Sequence, residues 1–165
     1  MYFVRMQFAH LHEALKVVDE VRKDQSLLAL VHQCDDKTQD SFRRLEAFLP
    51  NGARRAEFEG LVGTIRHNVT LHYDETGKRI RRALTMLSAR TKDYTSSITR
   101  GSTAYAWYFK AADSVVNNIV CHQIWGIPET ADVMDEANKK VDRCHEIFLL
   151  FVDFAGEFIW KYCQE

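Results

Sequence analysis

Apolar side chains recur at steps of three and four residues through most of this chain, and only two prolines, Pro50 and Pro128, interrupt the pattern. That spacing lines carbon along one face of an α-helix. With so few chain breakers, long helices are favoured over many short strands. No segment shows sustained period-two alternation and no internal repeat is evident. The expected fold is therefore all-α, an antiparallel bundle of about five or six helices forming one domain over residues 1–165. Apolar residues at 46% and aromatics at 12% suffice to fill a core and argue against disorder.

The first helix is expected over Phe8 to Val31, with Phe8, Leu11, Leu15, Val18 and Val21 on one stripe that Leu28 and Val31 resume. Asp36 and Gln39 have the spacing of a capping box. They would open a short helix bearing Phe42, Leu45 and Leu49, ended by Pro50-Asn51-Gly52. A third helix from Ala53 turns Phe58, Leu61 and Ile65 inward. After Asp74-Glu75-Thr76-Gly77, a fourth turns Ile80, Leu84 and Leu87 inward and several arginines outward. The polar stretch Asp93 to Thr103 reads as a loop, and a fifth helix carries Tyr105, Tyr108, Ala112, Val115, Ile119 and Ile124 as far as Gly126. Pro128 suits the start of the last helix. Its seam runs from Met134 through Ala137, Val141, Cys144, Phe148, Phe151, Ala155 and Phe158 to Tyr162, with Ile147, Leu150 and Phe154 as a second stripe. Two stripes imply burial of its C-terminal half on two sides.

No segment reaches the run of about 18 uncharged apolar residues that a membrane span requires. The richest stretch, Ile147 to Trp160, is cut by Asp153 and Glu157, so a buried helix is expected there and no membrane partner. The start, Met1 to Met6, has no extended apolar core of a leader. Four cysteines, Cys34, Cys121, Cys144 and Cys163, form no CxxC pair. Reduced thiols at helix interfaces in a cytoplasmic protein are expected from that pattern. Net charge is −1, but Ala53 to Lys110 holds eleven Lys/Arg against five Asp/Glu, so a local positive field is expected on an otherwise acidic protein.

The segment richest in chemistry is Ile65-Arg66-His67-Asn68-Val69-Thr70-Leu71-His72-Tyr73-Asp74. Helical steps that continue the stripe Phe58, Leu61, Ile65 arrive at Asn68 and His72, so an amide and an imidazole follow carbon on the same side. Buried without partners, such groups cost on the order of 1–3 kcal/mol each; they call for internal hydrogen bonds, water or a ligand. Arg66 lies on the adjoining stripe, and its planar fork suits phosphate. Lys78, Arg79, Arg81 and Arg82 then place four cations in five residues, as a phosphate-contacting patch or as a solvated face. Trp107, Tyr105 and Tyr108 are candidates for base stacking or for the core.

Arg66-His67 followed by four residues and His72, in a helical bundle, resembles the Rx4–6H signature of HEPN domains. The resemblance implies a metal-independent endoribonuclease with a toxin, defence or RNA-processing role. In such an enzyme the RNA 2′-hydroxyl attacks the neighbouring phosphodiester and leaves a cyclic phosphate and a free 5′-hydroxyl. Arg66 and His72 would be catalytic, His72 as general acid or base and Arg66 stabilising phosphate charge. His67, Asn68 and Tyr73 would support them. The resemblance also implies a homodimer, and a protein partner such as a neutralising antitoxin. Residues six apart on a straight helix lie about 120° apart, so a pair of motifs across a dimer completes one site more readily than a single chain does. The alternative is a non-catalytic HEPN-like interaction or scaffold protein, with Asn68 and His72 as a satisfied core pair.

No cofactor is expected, and no metal. His10, His12 and Glu13 lie close together, but Cys121-His122 and Cys144-His145 join neighbours that diverge by about 100° on a helix. The paired Glu-x-x-His of di-iron bundles is absent, with Asp142-x-x-His145 a single imperfect match.

Overall fold

A computed structural model describes residues 2–63, 65, 76–90, 98–99 and 108–164. Within these the chain is a helical bundle. Its helices are α1 (Tyr2–Lys23), α2 (Gln25–Val31), α3 (Asp36–Glu46), α4 (Arg55–Phe58), α5 (Lys78–Arg90), α6 (Lys110–Asn118) and α7 (Val133–Tyr162). Two of them change pitch without breaking: α4 runs into a π-helical segment Glu59–Gly63, and α6 into another at Ile119–Ile124. Seven helices among the described residues exceed the expected five or six.

The extra helix comes from the expected first one, which starts earlier, at Tyr2, and is divided at Asp24. Asp24 adopts an extended conformation, and its carboxylate accepts from the backbone N–H groups of Ser26 and Leu27 at 2.8 and 3.1 Å. An aspartate that satisfies the first amides of α2 competes with continued helix. The stripe nevertheless survives the break, since Phe8, Leu11, Leu15, Val18, Val21 and Val31 are all buried.

The cap of α3 is Asp35, whose side chain accepts from the Thr38 N–H at 2.7 Å, in place of the expected Asp36. Gln39 does not reach back to the cap amide; its side-chain amide donates to the carbonyls of Cys34 and His32. The helix ends at Glu46, before Pro50-Asn51-Gly52. There Asn51 has φ 67°, and a Cβ on Gly52 would run into the carbonyl oxygens of Ala47 and Glu46. Only glycine fits that approach.

Phe58, Leu61 and Ile65 are buried, as the third stripe predicts, and so is Val62 on the adjoining one. On α5 the buried residue is Ala83, while Leu84 stands 51% exposed, contrary to expectation. Helix α5 lies against α6 and its π continuation, and the small alanine lets it seat closely there. The expected fifth helix begins five residues late, at Lys110. Tyr108–Phe109 instead pairs antiparallel with Ile98–Thr99, inside the expected loop, in a two-residue ladder. Pro128 precedes the last helix rather than opening it, because Asp132 caps α7 by accepting from the N–H groups of Met134 and Asp135.

Helix α7 packs along α3 and also touches α1, α2 and the π segment after α4. Cys144, Ile147, Phe154 and Phe158 face the principal core. Phe154 lies 5.2 Å from the Phe42 ring and 5.0 Å from Phe158. Each fully buried side chain of this kind contributes roughly 1.5–3 kcal/mol. Both expected stripes of α7 pack on the core, with Val141, Phe148, Leu150 and Phe151 partly buried beside Cys144, Ile147, Phe154 and Phe158, but the ends of the seam and the face behind it are open. Met134, Leu149, Val152, Ile159, Trp160 and Tyr162 are exposed, because the bundle covers only the opposite face. Polar ties fix the register: Lys37 pairs with Asp153 at 2.9 Å, and the Asp35 N–H donates to Glu157 at 2.8 Å. Among the described residues no helix is long and apolar enough to cross a membrane.

Candidate functional site

Arg66, His67, Asn68, His72 and Tyr73 lie outside the described residues, as do Tyr105 and Trp107. The chain reaches the motif from Ile65, which is fully buried.

The cation patch is described. Lys78, Arg81 and Arg82 are exposed at steps of three and four on one face of α5. Arg79 is half-buried, and its backbone carbonyl accepts from the side chain of Gln123, in the second π segment, at 3.1 Å. The Arg81 guanidinium donates to the Thr76 carbonyl at 2.6 Å. Lys78, Arg81 and Arg82 have no carboxylate partner among the described residues. Most basic side chains of the other helices do: Lys16 with Glu13, Arg22 and Lys23 with Asp19, Arg43 with Asp40, Arg54 with Glu57, Arg55 with Glu59. No acidic residue stands in the first turn of α5. The positive end of the helix dipole and three exposed cations therefore coincide.

A second feature escaped the sequence reading. An open groove of about 610 Å³ lies between α4 with its π segment, the end of the second π segment, and α7. Gly60, Leu61, Ile124 and Trp125 form an apolar wall, and Lys140 and Arg143 stand on the α7 side. The Trp125 indole N–H donates to the Leu61 carbonyl at 3.1 Å, and its ring meets Phe8 edge-on with centroids 6.0 Å apart. Arg143 pairs with Glu57 at 2.7 Å and also with Glu146, while Lys139 pairs with Asp135 and Glu136. Lys140, half-buried, has no carboxylate partner among the described residues. The only hints in sequence are two glycines inside one apolar helix, Gly60 and Gly63, and a lone tryptophan next to Gly126.

A smaller polar pocket of about 220 Å³ lies beside Asn118 and His122. His122 Nδ1 sits 2.7 Å from the Ile127 carbonyl, to which it donates. The Asn118 side-chain oxygen is buried with no partner among the described residues.

The thiols are free, with Cys34, Cys121 and Cys144 buried and Cys163 exposed. Burial pushes all three inner thiols up, Cys144 to about 12, so they act as small apolar side chains. His12 is buried against the Phe58 ring, whereas His10 is exposed. Cys144 is buried and its neighbour His145 exposed, the divergence expected of adjacent helical residues. Among the described residues no three His, Cys, Asp or Glu side chains are grouped to hold a metal ion. Comparison with protein-family models, curated proteins and solved structures finds no match to this chain.

Proposed function

We propose that this chain is an RNA-binding, metal-independent endoribonuclease of HEPN type that works as a homodimer, with Arg66 and His72 as its reacting pair. The observation that carries the reading is the outward face of α5. Lys78, Arg81 and Arg82 are exposed at a helix N-terminus and unanswered by carboxylate among the described residues. Such a face favours a polyanion through direct phosphate contacts and counterion release. It begins six residues after His72 in the chain. In the proposed reaction the O2′–P bond forms as the P–O5′ bond breaks. His72 removes the 2′-hydroxyl proton or protonates the departing oxygen, and Arg66 neutralises charge on the phosphorane.

The outer face of α7 supports the homodimer. His145, Leu149, Val152, Gly156, Ile159 and Cys163 are all exposed and follow one another at alternating steps of four and three. That is the spacing of a coiled-coil seam. Gly156 has open space where a Cβ would lie, so a second helix can approach closely there. The same face supports the alternative of a non-catalytic interaction protein, and one experiment separates the two.

Wild type, Arg66→Ala and His72→Ala are compared for cleavage of single-stranded RNA in the presence of EDTA, with thermal unfolding measured alongside. The nuclease reading expects cleavage by wild type alone, cyclic-phosphate ends on the products and near-equal unfolding temperatures. Equal background cleavage by all three proteins, with His72→Ala markedly less stable, overturns it and leaves His72 as a structural residue.

A further inference from the structure

We infer that the groove between the two π-helical segments and α7 is a binding site for a small organic anion with a flat apolar body, such as an aromatic carboxylate. The inference is independent of the nuclease reading. At about 610 Å³ the groove falls within the ~300–1,000 Å³ range of small-molecule sites. Both stretches where a helix changes pitch border it, and π-helical turns concentrate at functional positions.

Three features define the ligand. Trp125 is held along one edge by its bond to the Leu61 carbonyl and against Phe8, so its ring is a fixed wall rather than a loose side chain. With Leu61 and Ile124 it offers apolar surface against which a planar ring can lie.

The second feature is Gly60. It does not have the positive φ of Gly77 and Gly126, and a Cβ built on it meets nothing within 4 Å. Its backbone therefore does not require glycine, although glycine costs about 1 kcal/mol against alanine inside a helix. What a side chain at position 60 would do is occupy the groove.

The third feature is charge. Among the lining cations, Arg143 and Lys139 are engaged by carboxylates, and Lys140 has no such partner among the described residues. An ammonium that lines the same groove as an apolar wall favours an anionic group over a neutral one. With Lys139 engaged by Asp135 and Glu136 and Arg143 by Glu57 and Glu146, the Lys140 ammonium is the one lining cation without a carboxylate partner among the described residues. A monoanion matches it; a dianion or polyphosphate leaves charge uncompensated.

The test uses 2-naphthoate and its neutral counterpart 2-acetylnaphthalene, titrated by calorimetry against the full chain. Saturable one-to-one binding of 2-naphthoate is expected, with a Kd of about 1 mM or tighter for a ligand of this size. 2-Acetylnaphthalene should bind more weakly. Lys140→Gln should weaken 2-naphthoate about three- to fivefold, leave the neutral compound unchanged and remove the salt dependence. Gly60→Leu should abolish binding of both compounds while leaving the circular dichroism spectrum and melting temperature intact. No saturation by about 10 mM, or wild-type affinity in both variants with their fold preserved, overturns the inference. So does binding that ignores charge, which would make the groove a nonspecific apolar surface.

Discussion

Replacing Phe154 with alanine tests the claim that α7 has one core face and one free face. Phe154 is 2% exposed and sits between Phe42 of α3 and Phe158 of its own helix, with ring centroids 5.2 and 5.0 Å away. Truncation removes the transfer free energy of the ring and leaves a void between two helices already tied by Lys37–Asp153. Phe→Ala changes at such sites cost about 3–5 kcal/mol, a large share of the ~5–15 kcal/mol that holds a domain folded. With a urea slope near 2 kcal/mol per molar, the midpoint should fall by about 1.5–2.5 M. The companion variant is Ile159→Ala, a residue 57% exposed on the opposite face. At low protein concentration it should cost less than about 1 kcal/mol. Unfolding followed by circular dichroism, at two protein concentrations, measures both. A midpoint shift below about 0.5 M for Phe154→Ala with an unchanged slope would refute the core assignment. Equal losses in the two variants at every concentration would refute the two-faced description of α7.

Four further outcomes are expected. A thiol reagent applied to the native protein should modify Cys163 at once and Cys34, Cys121 and Cys144 only on unfolding, which mass spectrometry resolves by peptide. Gly52→Ala should destabilise by about 1–3 kcal/mol, because the new Cβ meets backbone oxygen, while Gly156→Ala should be neutral or stabilising in the monomer; thermal melts compare them. Asp35→Ala should lower the urea midpoint at neutral pH. The Thr38 backbone N–H holds the Asp35 carboxyl below its ordinary 3.8, so its contribution is complete above that value and lost as pH falls through the depressed one. The gap between wild type and variant should therefore close in acid. Replacing Arg79, Arg81 and Arg82 with Gln should weaken RNA binding and flatten its dependence on salt; an unchanged salt slope returns the patch to a solvated face.

Much of the bundle is legible because periodicity reports burial wherever one face is apolar and the other is not. The stripe from Phe8 to Val21 is such a case, and so is Phe58, Leu61, Ile65. The failures have local causes. Leu28 and Val31 continue the α1 stripe in phase, so nothing in the apolar pattern marks the break that Asp24 makes. Asp35 and Asp36 are both competent caps, and only the backbone path chooses between them. A π-helical turn has a different period, so the segments at Glu59–Gly63 and Ile119–Ile124 are invisible to three-four counting. The C-terminal half of α7 carries apolar residues on more than one face, and which stripe is core depends on where α3 lies. The groove draws on three separated elements, and no linear motif encodes it. The pattern Arg66 to His72 is, by contrast, legible only as a pattern.

The charge distribution gains meaning from this architecture. On α1, α3 and α7 most of the cations are answered by carboxylates, many of them three or four residues away on the same helix, as in Glu13–Lys16 and Asp135–Lys139. Such pairs stabilise a helix by a few tenths of a kcal/mol. Helix α5, Lys78–Arg90, contains no acidic residue at all. Its cations at positions 78, 81 and 82 repel one another at helical spacing and oppose the dipole at its N-terminal end. Apart from the Arg81 bond to the Thr76 carbonyl, folding gains little from that arrangement; α5 is held in place by Ala83 and its packing on α6 and the π segment that continues it. A phosphate backbone bound as proposed would reverse the sign of both effects, since the same three side chains would then face negative charge. If α5 binds a polyanion as proposed, counterion release at these three side chains is what would make its affinity steep in salt.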